Sequence, residues 1–231
     1  MSESSGSSLQ QQKYYSKEWE ALELSRKPGR SGWRTSVPAS DFLQFIEWLK
    51  EQKITGKALD LGCGGGRHSI ALAKNDFSVD GLDFAPAAVK TAAKNAADAK
   101  AGERMQFRVG DVLDLPYDNH SFDIVNDDGC LHHIHPDDWP LYTKNIQRVI
   151  KPGGILRLKA FSKNCEYFRN NSSQNSQWVW LSGSGYTHFF SDQEIHQLFD
   201  KTFEILKLEE KAHAQAGDKK FFFVILRART P

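Results

Sequence analysis

The chain has 231 residues, of which 39% are hydrophobic and 26% charged, with a formal net charge of +1 at pH 7. This length suffices for one substantial hydrophobic core and is short for two full domains, so we expect a single domain. The near-neutral charge and the dispersed basic residues make nucleic acid an unlikely partner. Three cysteines without CxxC spacing indicate neither a disulfide framework nor a zinc knuckle and fit a reducing cytoplasm.

The N-terminal region divides into a tail and a lid. Residues 1–12 are rich in Ser and Gln, lack the basic and apolar regions of a signal peptide, and predict a disordered tail. No apolar run approaches the roughly 18 residues of a membrane span, so we expect a cytoplasmic chain without a membrane partner. The domain is expected over 13–231 and to begin with a lid over 13–38, where Trp19 and Trp33 flank a break. The alternative, that both tryptophans cover the edge of the core, stays open.

Helix and strand patterns alternate from residue 39 onward. Apolar residues at i, i+3, i+4 and i+7 predict a helix over 39–53, and a helix behind Pro86 is predicted over 87–100. A further helix is predicted over 139–150, and strands over 57–61, 77–82, 105–109, 122–126 and 155–160. This order predicts an α/β fold, a doubly wound, Rossmann-like, seven-stranded and mostly parallel sheet with helices on both faces.

The C-terminal third departs from this alternation. Residues 162–190 are rich in Ser and Asn and predict a substrate loop inserted after the fifth strand. Ser191 to Glu194 then begin a helix as a capping box. Two apolar strands over 203–208 and 221–227 finish the chain as a hairpin, with an antiparallel C-terminal edge strand.

A glycine loop follows the first predicted strand. The apolar strand breaks into Gly62, Gly64 and Gly66, and helical spacing resumes near Ser69. Glycine permits positive φ and a close approach of a ligand to the backbone, and a helix start offers unpaired N–H groups. Arg67 stands where the dinucleotide fingerprint G-x-G-x-x-G has its third glycine, which argues against a pyrophosphate.

Three carboxylates mark successive strands. Asp60 lies two residues before Gly62, Asp83 ends the second strand, and Asp111 follows the third. Asp83 comes about 20 residues after the loop, where an acid that binds ribose belongs. The carboxyl ends of parallel strands meet at one edge of the sheet, so the acids are expected to converge there. They suit a cation carrying a ribose better than a dianionic pyrophosphate.

An ordered set of segments resembles the class I S-adenosylmethionine-dependent methyltransferases. It comprises Leu-Asp-Leu-Gly-Cys-Gly-Gly-Gly at 59–66, the strand-end Asp83, and residues 110–116, 121–125, 131–134 and 148–154. Residues 127–133 and 186–191 resemble the small-molecule branch, which includes tellurite-resistance-type and thiopurine-type enzymes. Asn126-Asp127-Asp128-Gly129 stands where amino-methylating nucleic-acid enzymes carry an Asn-Pro-Pro-Tyr type tetrapeptide.

The resemblance implies S-adenosylmethionine as the cofactor. Asp83 is expected to take both ribose hydroxyls with Phe84 against the adenine, and Asp111 to accept a hydrogen bond from the adenine amine. The backbone of Val112 is expected to donate to the ring, and Asn126 to lie beside the methionyl end. The complete expected set is Asp60, Gly62, Cys63, Gly64, Asp83, Phe84, Asp111, Val112, Asn126 and Asp127.

The implied reaction is methyl transfer to a small-molecule nucleophile by in-line displacement, for which the protein mainly supplies alignment. A base is needed only when the nucleophile must lose a proton, and histidine accepts protons near neutral pH. His133 is the first candidate and His188 the second, with solvent-facing or capping roles open for His132 and His135. No metal is expected, because neighbouring histidines on a short loop rarely converge on one ion. The expected substrate pocket consists of Trp19, Trp33, His132, Phe161, Trp178, Trp180 and Tyr186.

Other functions fit parts of the sequence. A non-catalytic S-adenosylmethionine-binding sensor or partner subunit fits the cofactor motifs equally well, whereas the intact fourth-strand segment and the aromatic-rich insertion favour an enzyme. A nucleotide-linked dehydrogenase is disfavoured by Arg67 and Asp111. A nucleic-acid methyltransferase is disfavoured by the dispersed basic residues.

Overall fold

A computed structural model describes residues 6–25, 35–171, 177–181, 185–212 and 219–230. Trp33 and the break before it, which belong to the predicted lid, lie outside these ranges. Within these ranges no helix is long and apolar enough to cross a membrane.

Strands and helices follow one another through the chain as the sequence pattern predicts, except for a helix at the N-terminus and for three further elements within the inserted region 162–190. The elements are α1 (Gly6–Ser25), α2 (Ser40–Glu51), β1 (Lys57–Leu61), α3 (Arg67–Ala73), β2 (Ser78–Asp83), α4 (Pro86–Asp98), β3 (Met105–Val109), β4 (Phe122–Asp128), α5 (Trp139–Val149), β5 (Ile150–Phe161), α6 (Glu166–Asn171), β6 (Trp178–Leu181), β7 (Gly185–His188), α7 (Asp192–Phe199), β8 (Phe203–Ala212) and β9 (Lys220–Ala228).

Seven strands form one sheet in the order β3-β2-β1-β4-β5-β9-β8. The first five are parallel, and β9 runs antiparallel to both of its neighbours, β5 and β8. The predicted doubly wound, mostly parallel sheet is confirmed, and its antiparallel C-terminal strand lies second from the edge. The strand order reverses between β1 and β4, and in open α/β sheets ligands bind at the carboxyl ends of strands at such a switch point.

Helices cover both faces of the sheet. On one face α5 and α7 bury Tyr142 and Phe199 completely against β1, β4 and β5. On the other face α2 packs its predicted apolar stripe against Ile124 and Ile155, with the buried residues Phe42, Phe45, Ile46 and Leu49. Because helices cover both faces of the sheet, the position accessible to a ligand is the edge at which the strands end.

The N-terminal segment corrects the prediction of a disordered tail over 1–12. Helix α1 begins at Gly6, and two residues of the supposed tail have distant partners. Gln11 bonds the backbone of Tyr186, and Gln12 bonds the carboxylate of Asp111. Polar composition predicts disorder only while the polar side chains have no partners, and here they find them in the folded domain.

The inserted region 162–190 is more regular than the predicted loop. It contains α6 and an antiparallel hairpin of β6 and β7, in which Trp178 pairs with His188 and Trp180 with Tyr186. Each hairpin strand has only four residues, which is too short for a period of two to stand out in the sequence.

Candidate active site

The loop after β1 depends on glycine for its conformation. Gly62 and Gly64 have φ angles of 60° and 54°, in the left-handed region that side chains disfavour. A Cβ on Gly62 would lie 3.2 Å from the Cβ of Cys130, and one on Gly64 would lie 3.0 Å from the ring of Trp19. The loop therefore presents bare backbone where β1 ends. Cys63, also expected at the cofactor, is buried within it.

Asp83, at the end of β2, is tied to this loop. Its Oδ2 accepts a hydrogen bond from the backbone N–H of Gly64 and its Oδ1 one from that of Ala85, both at 2.9 Å. Burial raises the pKa of Asp83 to about 6, against these two bonds, which lower it. A carboxylate offers about four lone-pair positions, so Asp83 keeps acceptor capacity for the two hydroxyls of a ribose.

Asp111 follows β3 at the same edge of the sheet. Its Oδ1 accepts from the backbone N–H of Leu113 at 2.9 Å, and its Oδ2 accepts from the side-chain amide of Gln12 at 2.7 Å. Val112 packs partly buried against the main core, and Phe84 packs with Trp19 beside the start of α4. The glycine loop, Asp83 and Asp111 thus lie at the same edge of the sheet, as the strand order in the sequence predicts.

Asp60 and Asn126 lie beneath the glycine loop, tied to each other. Asp60 accepts from Ser69 Oγ at 2.5 Å and from Asn126 Nδ2 at 2.7 Å, and Arg157 donates to Asn126 Oδ1 at 2.9 Å. Asp60 and Asn126 are almost completely buried, and burial raises the pKa of Asp60. Asp60 and Asn126 thus bond to each other and to the buried side chains of Ser69 and Arg157, and their expected contacts with the cofactor stay a prediction.

Asp127 shapes the loop after β4. Its carboxylate accepts from the backbone N–H groups of Gly129, Cys130 and Leu131 at 2.7–3.0 Å and from the hydroxyl of Tyr142 at 2.5 Å. Four donors occupy the acceptor capacity of one carboxylate, and Asp127 has no exposed surface. The side chain of Asp127 therefore anchors the loop that carries His133, and the place beside the methionyl end that the family resemblance implies for it stays a prediction.

His133 is held by partners at both ring nitrogens. Nδ1 lies 2.8 Å from the carbonyl oxygen of Tyr186, which can only accept, so the proton is assigned to Nδ1. The unprotonated Nε2 accepts from the hydroxyl of Tyr15 at 2.8 Å. Burial lowers the pKa of His133 to about 4, so the ring is neutral at physiological pH.

Comparisons with known proteins agree with this geometry. Residues 58–154 match a family described as a methyltransferase domain. The 27-O-demethylrifamycin SV methyltransferase of Amycolatopsis mediterranei is 38% identical over 106 residues, 46% of this chain and 38% of that protein. The demethylmenaquinone methyltransferase of Lactobacillus johnsonii is 37% identical over 128 residues, 54% of this chain and 48% of that protein. Over residues 58–154 the chain carries a methyltransferase domain.

A solved structure extends the likeness beyond the matched segment. The 1,6-didemethyltoxoflavin-N1-methyltransferase of Burkholderia thailandensis, with bound 1,6-didemethyltoxoflavin and S-adenosylhomocysteine, superposes with a TM-score of 0.71 at 21% identity, covering 94% of this chain and 90% of that chain. At this identity the likeness shows the fold. The methyltransferase chain spans less than half the length of the two curated relatives.

His188 is not brought to the same point as His133. Its Nε2 lies 3.1 Å from Glu194 Oε1, and its ring packs edge-on against Trp139. Successive side chains of a strand point to opposite faces, and Thr187 is the β7 residue whose hydroxyl approaches His133 Nδ1, at 3.4 Å. His188 thus lies between the hairpin and α7, and its role as a second base stays a prediction.

The expected pocket residues of the methyltransferase separate into two groups. His132 and Phe161 lie together beside His133, with ring centroids 4.6 Å apart, and burial lowers the pKa of His132 well below its usual range. Trp178 and Tyr186 stack on each other, and Trp180 beside them is 47% exposed. The predicted place of these three residues in the substrate pocket stays a prediction.

Two features of the site escaped the sequence prediction. The first is the face of α1 formed by Gln11, Gln12, Tyr15 and Trp19. Of these residues only Trp19 was predicted to line the substrate pocket. The helical spacing of Gln11, Tyr15 and Trp19 was the signal in the sequence that could have found the others. The second is a buried cluster in which Arg157 bonds Asp41 and Asp128. That cluster carries no local signal, because its members come from α2, β4 and β5.

Proposed function

We propose that this chain transfers a methyl group from S-adenosylmethionine to a small-molecule nucleophile. The observation that carries the proposal is the convergence of the glycine loop, Asp83 and Asp111 at the switch point of the sheet, in the order that the family resemblance implies. The two curated relatives, both named as methyltransferases of small molecules, support the choice of acceptor class.

The residues present fit the cofactor. Asp83 retains acceptor capacity for a diol, Asp111 Oδ2 accepts a planar N–H donor from the amide of Gln12 as it would from an exocyclic amine, and Gly62 and Gly64 leave the backbone without side chains. When bound, the cofactor supplies an already activated methyl group. The protein's own contribution is then chiefly orientation, which is capable of about 7–11 kcal/mol of the barrier.

His133 is proposed to receive the proton that an acceptor loses. Its Nδ1–H is fixed on the carbonyl of Tyr186, so Nε2 presents its lone pair, and the hydroxyl of Tyr15 already donates to it. A proton released by the acceptor passes through this hydroxyl, which accepts one proton and donates another. A base with a pKa near 4 is weak, and it suffices because a hydroxyl or amine that has gained a methyl group is strongly acidified.

The test is production of S-adenosylhomocysteine from S-adenosylmethionine with a panel of phenols, amines, thiols and carboxylates, followed by the variant His133→Gln. We expect turnover to fall by about 10²-fold, the lower end for general base catalysis, with unchanged affinity for S-adenosylhomocysteine. The matched control His196→Gln changes an exposed histidine of α7 that pairs with Asp200 and should leave turnover unchanged.

Two outcomes would contradict this proposal. Wild-type turnover in His133→Gln would remove His133 from the reaction. Cofactor binding without product from any acceptor class would favour the alternative function, a non-catalytic S-adenosylmethionine sensor or partner subunit.

A further inference from the structure

Helix α1 lies across the cofactor site and the candidate base together. Gln11, Gln12, Tyr15 and Trp19 fall on one helix face, and each contacts a different part of the site. Gln11 forms two hydrogen bonds with the backbone of Tyr186, both at 2.8 Å, and Tyr15 donates to His133. One helix therefore touches the adenine side, the glycine loop and the acceptor side at the same time.

Gln12 donates to Asp111 Oδ2, the oxygen that accepts from the adenine amine in the proposed function. Its Nε2 donates to Asp111 Oδ2 at 2.7 Å, while Asp111 Oδ1 is taken by the backbone of Leu113. A carboxamide –NH₂ and an aromatic amine are both planar N–H donors of similar size. The side chain of Gln12 thus mimics the group that we expect Asp111 to recognise.

Trp19 closes the ribose side of the site. The tryptophan is 6% exposed and packs against Ala85 and Ala88 at the start of α4, and its ring covers Gly64. Asp83 beneath it is itself only 6% exposed. Trp19 thus covers the two segments, Gly64 and Ala85, whose backbone N–H groups bond the carboxylate of Asp83.

The attachment of α1 is weak compared with that of the core helices. Among its side chains that the structure describes, those of residues 10–22, Trp19 is the only buried apolar one, and the remaining contacts are made largely by polar and half-buried groups. The helix has no acidic residue in its first turn and no basic residue in its last turn to complement its dipole. Elements with few buried apolar contacts open at low free energy.

We propose that α1 is a gate, and that the Gln12 amide is an internal substitute for the adenine amine, which the cofactor displaces when it binds. This inference rests on the proposed function, because it takes Asp83 and Asp111 as the ribose and adenine acids. Lifting α1 also releases Tyr186 from Gln11 and His133 from Tyr15, and α1 returns, with Gln12 displaced, before Tyr15 relays the acceptor's proton. Arrival of the cofactor at one end of the site is thereby coupled to the acceptor end.

The gate is tested by the association rate constant of S-adenosylhomocysteine on the immobilised full chain, measured by surface plasmon resonance. If α1 is a gate, the observed association rate constant is proportional to the fraction of molecules in which α1 is open. Gln12→Ala removes the bond to Asp111 and should raise the rate about five- to tenfold. Gln12→Glu places a second carboxylate against Asp111 and should raise it further. The control Gln10→Ala, at an exposed position of the same helix, should leave it unchanged.

Amide hydrogen exchange supplies a second readout without ligand. The amides of α1 should exchange faster in Gln12→Glu than in the wild type, while those of the central strands stay protected, which also shows that the variant is folded. Ala and Glu are both strong helix formers, so neither change disrupts α1 through helix propensity.

The gate is overturned if Gln12→Ala associates at the wild-type rate, or if it associates more slowly, which would make Gln12 a ligand of the cofactor. Failure of the proposed function gives a different result. In that case the wild-type chain either shows no binding of S-adenosylhomocysteine by calorimetry or binds the cofactor without forming product from any acceptor class.

Discussion

The affinity for S-adenosylhomocysteine is expected to depend on pH through the carboxylate of Asp83. Burial raises its pKa from 3.8 to about 6. With that value the group is about 3% protonated at pH 7.5 and about 90% protonated at pH 5, so an affinity that needs the carboxylate falls roughly tenfold between them. An aspartate with the ordinary pKa would be less than about 10% protonated at pH 5, and the affinity would hardly change.

The matching perturbation is Asp83→Asn. The amide keeps the size of the side chain but loses the charge and one acceptor atom, so the two bonds to the ribose hydroxyls lose about 1.5–3 kcal/mol each. The affinity should fall by about 10²-fold or more. Because Asn does not titrate, the pH dependence should disappear as well.

Isothermal titration calorimetry of both proteins at pH 7.5 and pH 5 measures these effects, with thermal unfolding of each as a check on folding. Asp127, whose pKa burial also raises to about 6, remains in the variant, so any residual pH dependence belongs to it. Equal wild-type affinity at the two pH values would refute the argument from burial. Wild-type affinity in Asp83→Asn would show that the ribose lies elsewhere.

Three further substitutions test other parts of the structure. Tyr142→Phe removes one donor from the buried carboxylate of Asp127 and should lower the free energy of unfolding in urea by about 1.5–3 kcal/mol, with cofactor affinity unchanged. Gly64→Ala places a Cβ 3.0 Å from an indole ring at a φ of 54°. Its strain of about 1–2 kcal/mol should appear as weaker S-adenosylhomocysteine binding by calorimetry. Arg157→Met removes the guanidinium that bonds the buried carboxylates of Asp41 and Asp128, which keep only the longer contacts with Lys159 and Arg67, and should cost about 3–5 kcal/mol in urea unfolding. By contrast Arg104→Met, in an exposed pair, should cost less than about 1 kcal/mol in the same assay.

Much of the fold was predictable because its signals are local. The predicted strand over 57–61 coincides with β1, and the helix expected behind Pro86 is α4. Strand-end acids are likewise visible from order alone, since Asp83 and Asp111 each stand directly after an apolar run. Parallel topology then brings them to one edge of the sheet without further information.

The direction of individual side chains was harder to predict. Asp60 and Asp127 both stand near strand ends, yet one bonds Ser69 and Asn126 and the other the loop that follows it. The pleat of the strand and the supply of nearby N–H donors decide which way each carboxylate turns. The composition of the segment reveals neither the pleat nor the nearby donors. The directions of the Trp178 and Trp180 side chains could not be predicted from the sequence for the same reason, and in the structure Trp180 is 47% exposed.

The sequence by itself determined the parallel sheet, the glycine loop and the strand-end acids, because each depends on residues close together in the chain. The tertiary structure alone decided which distant residues the polar side chains of α1 contact. The contact between Gln11 and Tyr186 joins residues 175 positions apart, and the bond between Gln12 and Asp111 joins residues 99 positions apart. No periodicity within α1 encodes such partners, which exist only once the sheet has brought β3 and the hairpin to the same edge.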